Sequence, residues 1–175
     1  MNIKPKALVI DVDGVMTDGK LYYTNKGKIM KVFGPDDHDA LSILKPYLEI
    51  CFITGDHRGF DITKKRIVDD MKMPLALVST IKRIDWIKKK WNPKEVIYIG
   101  DGIFDHYVFK EVGYSIAPSN SDAYLKTKAD YVTKRAGGER AVAEACLHIL
   151  KKFFKPYNPG LKPDKQIKLS GKWTV

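Results

Sequence analysis

Residues 7–15 read Ala7-Leu8-Val9-Ile10-Asp11-Val12-Asp13-Gly14-Val15. The first four side chains are apolar without alternation, which is typical of a strand buried on both faces of a parallel sheet. The strand then ends in two aspartates spaced two positions apart. Like charges this close raise each other's pKa, and a bound cation removes that penalty. The segment therefore predicts a central strand that presents Asp11 and Asp13 to a cation.

The size and composition of the chain predict one globular domain. It has 175 residues, of which 44% are hydrophobic and 30% are charged, in the range of single domains. No apolar run approaches the roughly 20 residues that a membrane helix needs, and we expect no signal peptide. Cys51 and Cys146 lie in apolar surroundings without a C-x-x-C partner, which predicts reduced thiols and a cytoplasmic location.

The formal net charge of +10 is concentrated near the C-terminus, where residues 151–175 carry seven lysines and one aspartate. We interpret residues 1–154 as a single domain and residues 155–175 as a basic, Pro- and Gly-containing tail that is solvated. A positive field also favours anionic small substrates. Nucleic-acid binding is the alternative, but no basic groove interleaved with aromatic residues supports it.

Strand and helix patterns alternate along the chain. Strands are predicted at 7–11, 48–54, 75–78, 96–100, 114–117 and 130–133, and helices at 38–46, 58–71, 80–91, 103–112, 121–127 and 138–154. This alternation predicts an α/β fold, a doubly wound Rossmann-like parallel sheet with helices on both faces. Two apolar runs that flank a glycine-containing turn also predict a small β-hairpin flap at about residues 20–33.

Polar side chains follow three of the predicted strands. Asp11 and Asp13 follow the first, residues 54–56 (Thr-Gly-Asp) follow the second, and Asp101 follows the fourth. Because ligands bind beyond the carboxyl ends of parallel strands, we expect these aspartates to converge there. Oxygen ligands of this kind suit Mg²⁺. In the alternative interpretation each aspartate caps a helix, which explains any one of them but poorly explains all three.

Lys82 lies in the first turn of the predicted helix 80–91. A cation at that end opposes the helix dipole, which favours anions there. The cost is small if the lysine faces a bound phosphate. An exposed surface lysine is the alternative interpretation.

The order and spacing of these residues resemble the four motifs of haloacid dehalogenase-like phosphatases. The matching residues are Asp11-Val12-Asp13-Gly14-Val15, Thr54-Gly55, Lys82 and Gly100-Asp101-x-x-x-Asp105. The resemblance covers about residues 6–154. With a flap and no inserted cap domain, the chain is most similar to the capless subgroup that acts on sugar acid phosphates such as 3-deoxy-D-manno-octulosonate 8-phosphate. This resemblance implies a Mg²⁺-dependent phosphomonoesterase whose substrate is a phosphorylated sugar or sugar acid.

The resemblance also implies roles for the four aspartates. Asp11 would attack phosphorus and form an aspartyl-phosphate. Asp13 would protonate the leaving alcohol and then deprotonate the attacking water. Mg²⁺ would be held by Asp11, the carbonyl of Asp13 and Asp101. Asp105 would support the metal through waters or indirect contacts.

The remaining motif residues are expected to bind the phosphoryl group. Thr54 would donate a hydrogen bond to a phosphate oxygen, and Lys82 would offset its charge. Backbone N–H groups at Gly14 and Gly55 would complete the phosphate site. Where the family carries Thr-Gly-Arg, this chain has Asp56, and Arg58 is expected to replace the missing arginine.

The recognition residues depart from the family pattern at two further places. The family's Arg-Asp-Gly stretch after the flap is replaced by residues 36–38 (Asp-Asp-His), and Glu139-Arg140 follows Gly137-Gly138. In capless relatives the flap of one subunit covers its neighbour's site. That relationship implies a homo-oligomer, a tetramer by resemblance. The alternative is a flap that folds back on its own domain.

Two other functions compete with a sugar phosphate phosphatase. A non-catalytic domain that serves as an oligomerisation platform is one, and the intact set of motif residues argues against it. A phosphatase acting on a nucleic-acid 3′-phosphate is the other, and only the basic tail suggests it.

Overall fold

Strand β1 (Ala7–Asp11) lies at the centre of a six-stranded sheet in the computed structural model, which describes residues 4–162. Its other strands are β4 (Glu49–Thr54), β5 (Leu75–Leu77), β6 (Val96–Ile99), β7 (Tyr114–Ala117) and β8 (Tyr131–Val132). The sheet order is β5-β4-β1-β6-β7-β8, and every neighbouring pair is parallel. The predicted α/β fold with a parallel sheet is therefore confirmed.

The alternating side chains of β1 divide the hydrophobic core into two layers. Leu8 and Ile10 belong to one cluster, Ala7 and Val9 belong to the other, and all four are fully buried. Helices α1 (Asp36–Leu44) and α6 (Ala141–Phe153) cover the first face. Helices α3 (Arg83–Lys88), α4 (His106–Phe109) and α5 (Ala123–Lys126) cover the second. A strand with both faces covered needs no polar alternation, which explains the unbroken apolar run.

The predicted flap is present as an antiparallel hairpin of β2 (Tyr22–Thr24) and β3 (Gly27–Met30). A bridge between Thr17 and Phe33 closes its base. The second strand ends at Met30, before the predicted end at Phe33, because the next side chain, Lys31, turns inward and is fully buried.

The remaining connections are irregular and short. Helix α2 (Phe60–Lys64) continues into a π-helical segment, Lys65–Asp70, and a 3₁₀ turn, Thr80–Lys82, precedes α3. Residues 155–162 of the predicted tail contain no helix or strand, and residues 163–175 lie outside the described residues. Among residues 4–162, no helix is both long enough and apolar enough to cross a membrane.

Asp37, in the first turn of α1, ties α1 to α6. Its Oδ1 accepts a hydrogen bond from the Ala143 amide (2.8 Å), whereas its buried Oδ2 has no hydrogen-bond donor among the described residues. Burial is the largest influence on this carboxyl, and it raises the pKa to about 6.

This raised pKa predicts a pH-dependent stability. Protonated Asp37 suits the folded state, so its contribution to stability is present below the unfolded pKa and is lost as the pH rises to about 6. Asp37→Asn removes the charge and keeps an oxygen for the Ala143 amide. We expect thermal unfolding to show the variant more stable than the wild type at pH 8, with the difference shrinking towards pH 4. A difference that does not vary with pH would contradict this assignment.

Candidate active site

A cavity of about 340 Å³ opens at the carboxyl ends of β1, β4 and β6. Five aspartates line it, as expected when acids follow parallel strands whose ends share one edge. These are Asp11, Asp13, Asp56, Asp101 and Asp105. The convergence predicted for Asp11, Asp13 and Asp101 is thus found in the structure. Gly55 also lines this cavity, and its N–H contact with a phosphate stays a prediction.

Asp11, Asp101 and Asp105 form a candidate metal site. Each presents a carboxylate oxygen within 4.8 Å of the others. Burial raises the pKa of Asp11 well above its usual range; the Arg83 charge opposes this shift, and the Asp105 charge adds to it. Burial, and then the Asp105 charge, raise the pKa of Asp101 to about 7. Mutual repulsion among buried acids is what a divalent cation relieves, so this donor set fits a hard metal ion.

Gly14 permits this arrangement sterically. Its φ of +85° is one that residues with a side chain rarely adopt, and a Cβ there would clash with the Asp101 carboxylate. The Gly14 N–H donates to Thr17 Oγ1 (3.2 Å). The expectation that this N–H faces a phosphate is therefore not met in this structure, and what Gly14 provides is room for Asp101.

The structure places Arg83 in the position expected for Lys82. Arg83 Nη1 donates to Asp11 Oδ2 and to Asp105 Oδ1, both at 2.6 Å, and its side chain is only 4% exposed. The Lys82 side chain is 68% exposed, and its ammonium lies 3.8 Å from Asp85. The prediction that Lys82 faces the phosphate site is therefore wrong.

Helical geometry explains why the adjacent residue takes this position. Successive helix residues point about 100° apart, so a neighbouring pair cannot share one direction. Arg83 begins α3 and lies one turn before the buried Ile87, on the same face. That i, i+4 spacing is a signal in the sequence that would have identified Arg83.

Asp105 accepts hydrogen bonds from three separate groups. Its Oδ1 accepts from Arg83 and from the Tyr98 hydroxyl (2.7 Å), and its Oδ2 accepts from the Gly102 amide (3.0 Å). Burial raises the pKa of Tyr98 well above its usual value, so the phenol keeps the proton that it donates. These contacts fit the supporting role predicted for Asp105.

Thr54 lies behind Asp13 and is fully buried. Its hydroxyl donates to Asp13 Oδ2 (2.8 Å) and accepts from the Asp56 amide (3.0 Å). A hydroxyl has one proton to donate, and here it goes to Asp13. The expected hydrogen bond from Thr54 to a phosphate is thus not available in this arrangement, and Thr54 orients Asp13 instead.

Two flap lysines form ion pairs with aspartates of the cavity wall, and the sequence patterns did not predict them. Lys31 Nζ lies 2.6 Å from Asp13 Oδ1 and 2.9 Å from Asp56 Oδ2. Lys28 also pairs with Asp56. Burial tends to raise the pKa of Asp56, but hydrogen bonds from both lysines outweigh it and lower the pKa to about 2. Asp56 itself was the available signal in the sequence. An acid at the end of a buried strand is expected to be partly buried, and a partly buried carboxylate needs a cation nearby.

Arg58 does not take the place of the family's arginine. It is exposed, and the cavity wall at this point is formed by Asp56. The loop turns after Asp56, where the Gly59 amide donates to Asp56 Oδ1 (3.0 Å). Arg58 is not among the residues that line the cavity, whereas Gly55 and Asp56 are. The prediction that Arg58 binds substrate is therefore not supported.

Comparison with known proteins identifies a family model and several curated relatives that match this chain. A family model described as haloacid dehalogenase-like hydrolase matches residues 78–145. The 3-deoxy-D-manno-octulosonate 8-phosphate phosphatase of Salmonella typhi is 34% identical over 151 residues, which are 81% of this chain and 77% of the relative. The enzyme of the same name from Yersinia pestis is 30% identical over 155 residues, which are 83% of this chain and 79% of the relative.

Solved structures of phosphatases of the same substrate class also superimpose on this chain. The cobalt-bound deoxy-D-mannose-octulosonate 8-phosphate phosphatase of Haemophilus influenzae superimposes with a TM-score of 0.75 at 29% identity, covering 87% of this chain and 90% of that one. The Moraxella catarrhalis phosphatase, in complex with magnesium, phosphate and the KDO molecule, gives a TM-score of 0.74 at 27% identity, covering 85% and 87%.

Proposed function

This chain belongs to the haloacid dehalogenase-like phosphatases, and we propose that it hydrolyses 3-deoxy-D-manno-octulosonate 8-phosphate or a related 2-keto-3-deoxy sugar acid phosphate. The observation that carries the proposal is the buried Asp11 carboxylate on the cavity wall, beside Asp101 and Asp105 and paired with Arg83. The names of the curated relatives support the substrate class. These names favour a sugar acid phosphate over a nucleic-acid 3′-phosphate as the substrate. Membership of a hydrolase family whose relatives are phosphatases argues against a non-catalytic oligomerisation platform.

In the proposed first step an Asp11 oxygen forms a bond to phosphorus while the ester P–O bond breaks. Asp13 gives its proton to the departing sugar oxygen. In the second step a water attacks the aspartyl-phosphate and loses a proton to Asp13, which frees phosphate and restores Asp11. Thr54 and Lys31 contact the two oxygens of Asp13 and hold it for both transfers.

Charge balance at the phosphoryl group needs cations. Mg²⁺ held by Asp11, Asp101 and the Asp13 carbonyl would supply positive charge to the phosphoryl oxygens. Asp105 would support this site from its fixed position between Tyr98 and Arg83. Arg83, which contacts Asp11 and Asp105, takes the role that Lys82 was predicted to have. Gly55 lines the cavity where the phosphate would lie.

We further propose that the protein is cytoplasmic and forms a homo-oligomer, a tetramer by resemblance. Free, buried Cys51 and Cys146 support a reducing compartment. The flap supports assembly, because Lys28 and Lys31 are buried against their own chain while the apolar side chains of the flap remain 41–59% exposed. These apolar residues are Leu21, Tyr22, Tyr23, Ile29, Met30 and Val32.

A panel of sugar phosphates tests the proposed activity. Octulosonate, nonulosonate and heptose phosphates are compared by kcat/KM with Mg²⁺ present and with excess chelator. We expect a sugar acid phosphate to rank first and chelation to stop turnover, since Arg83 supplies a single positive charge beside three neighbouring carboxylates and the phosphoryl group adds more negative charge. A flat, weak ranking would contradict the substrate class, and full activity in chelator would remove the metal from the mechanism.

A further inference from the structure

Lys31 is a buried cation at the base of the flap that no motif accounts for. Its side chain is fully buried, and its ammonium donates to Thr63 Oγ1 (2.9 Å) on α2. The same ammonium lies 2.6 Å from Asp13 and 2.9 Å from Asp56. Three acceptors from three separate segments therefore surround one charge.

Burial of an ammonium is costly unless its partners are fixed and close. Two carboxylates and a hydroxyl meet that condition here, and Thr63 is itself fully buried and bonded to the Gly59 carbonyl (3.3 Å). The position of Lys31 is consequently set by packing as well as by charge. Lys31 is not among the residues that line the cavity, whereas its partners Asp13 and Asp56 are.

Asp13 is held on both sides by this arrangement. Thr54 donates to its Oδ2, and Lys31 faces its Oδ1, for which the described residues offer no hydrogen bond of good geometry. A general acid must keep its proton-carrying oxygen within hydrogen-bond reach of the leaving oxygen. Loss of the Lys31 charge would free Oδ1 and let the carboxyl rotate.

We propose that Lys31 is a positioning residue that aims Asp13 at the leaving oxygen, so that the flap and the general acid act as one unit. This inference rests on the proposed function, because it assigns a helper to one step of that reaction. In this role Lys31 does not bind the phosphate or the sugar itself. It acts through Asp13, and Asp56 is its second carboxylate partner.

The choice of leaving group separates this role from a structural one. A sugar alkoxide is a poor leaving group and needs the proton of Asp13, whereas p-nitrophenolate leaves readily without it. The ratio kcat/KM covers events only through the breaking of the ester bond, so the later hydrolysis of aspartyl-phosphate does not enter it. A defect in aiming Asp13 should therefore appear with the sugar ester and not with p-nitrophenyl phosphate.

The experiment compares Lys31→Met with the wild type on both esters, using the full chain with Mg²⁺ and the best sugar phosphate of the panel. We expect kcat/KM to fall about 10- to 100-fold for the sugar phosphate and to stay within about 3-fold for p-nitrophenyl phosphate. Equal losses on both esters, or no loss on either, would overturn the proposal.

Lys28→Met is the matched control, since Lys28 shares the flap and Asp56 with Lys31 but has no contact with Asp13. We expect no difference between the two esters for it. Thr63→Val is the second variant, for use if Lys31→Met does not fold. It removes the hydroxyl that orients Lys31 while keeping the Lys31 charge, and its kcat/KM on the two esters is judged in the same way. A wild-type protein inactive on both esters would overturn the proposed function, and the inference with it.

Discussion

Asp11→Asn is expected to lower phosphatase activity by about 10⁴-fold or more, the scale seen when members of a nucleophilic catalytic unit are removed. The asparagine is close in size and keeps an oxygen for the Val12 amide, which now donates to Asp11 Oδ1 (2.8 Å). It has no anionic oxygen to attack phosphorus. The measurement is kcat/KM on the preferred sugar phosphate with saturating Mg²⁺.

A folded Asp11→Asn protein is essential to that conclusion. The change removes one of three crowded, buried carboxylates, so repulsion with Asp101 and Asp105 falls while Arg83 loses one charged partner. These effects oppose each other, and we expect circular dichroism and the unfolding temperature to stay near the wild-type values. Substantial remaining activity in a folded sample of the variant would exclude Asp11 as the nucleophile.

Arg83→Met is expected to reduce kcat/KM by about 10²- to 10³-fold, the scale of removing one preorganised donor from an active site. Its guanidinium is the cation that the structure pairs with both Asp11 and Asp105. Lys82→Met, the adjacent change, should leave activity close to wild type because the Lys82 side chain is largely exposed. Both variants are compared under identical Mg²⁺ concentrations.

The Arg83→Lys variant tests whether the activity loss in Arg83→Met comes only from a destabilised fold. Breaking a buried ion pair destabilises a protein strongly, so Arg83→Met needs an unfolding measurement beside its kinetics. Lysine keeps the charge but lacks the planar fork that reaches two carboxylates, and an intermediate activity is expected. A large loss in Lys82→Met together with normal activity in Arg83→Met would return the role to Lys82.

The fold was predictable because its strongest signals are local. An unbroken apolar strand such as Ala7–Ile10 requires cover on both faces, and the alternating helices supply that cover. The flap followed from its glycine-containing turn. What the pattern could not give was the end of β3, since the inward turn at Lys31 depends on acids from distant parts of the chain.

The site was predictable where spacing alone decides position. Asp11, Asp13 and Asp101 follow strands that are neighbours in the sheet, so their convergence needs no knowledge of side-chain packing. The choice between Lys82 and Arg83 depends on where a 3₁₀ turn gives way to a helix. A shift of one residue there reverses which side chain faces inward, and helix boundaries are the least certain feature of any sequence pattern.

The substitution of an acid at position 56 shows why recognition residues are harder to infer. A missing arginine suggested a nearby replacement in sequence, and Arg58 was the nearest one. The structure instead pairs Asp56 with Lys28 and Lys31 of the flap, which precede it by 28 and 25 residues along the chain. Charge compensation operates across space, so a sequence neighbour is a poor guide to it.

The most direct test of the proposed mechanism is to trap the aspartyl-phosphate. The Asp13→Asn variant is mixed with Mg²⁺ and p-nitrophenyl phosphate radiolabelled at phosphorus, quenched in acid and digested. This ester needs little help from a general acid, whereas the later attack of water lacks its base, so phosphoenzyme should accumulate. The mechanism predicts label on the peptide that contains Asp11. Release of p-nitrophenol with no labelled protein, or with label on another peptide, would contradict it.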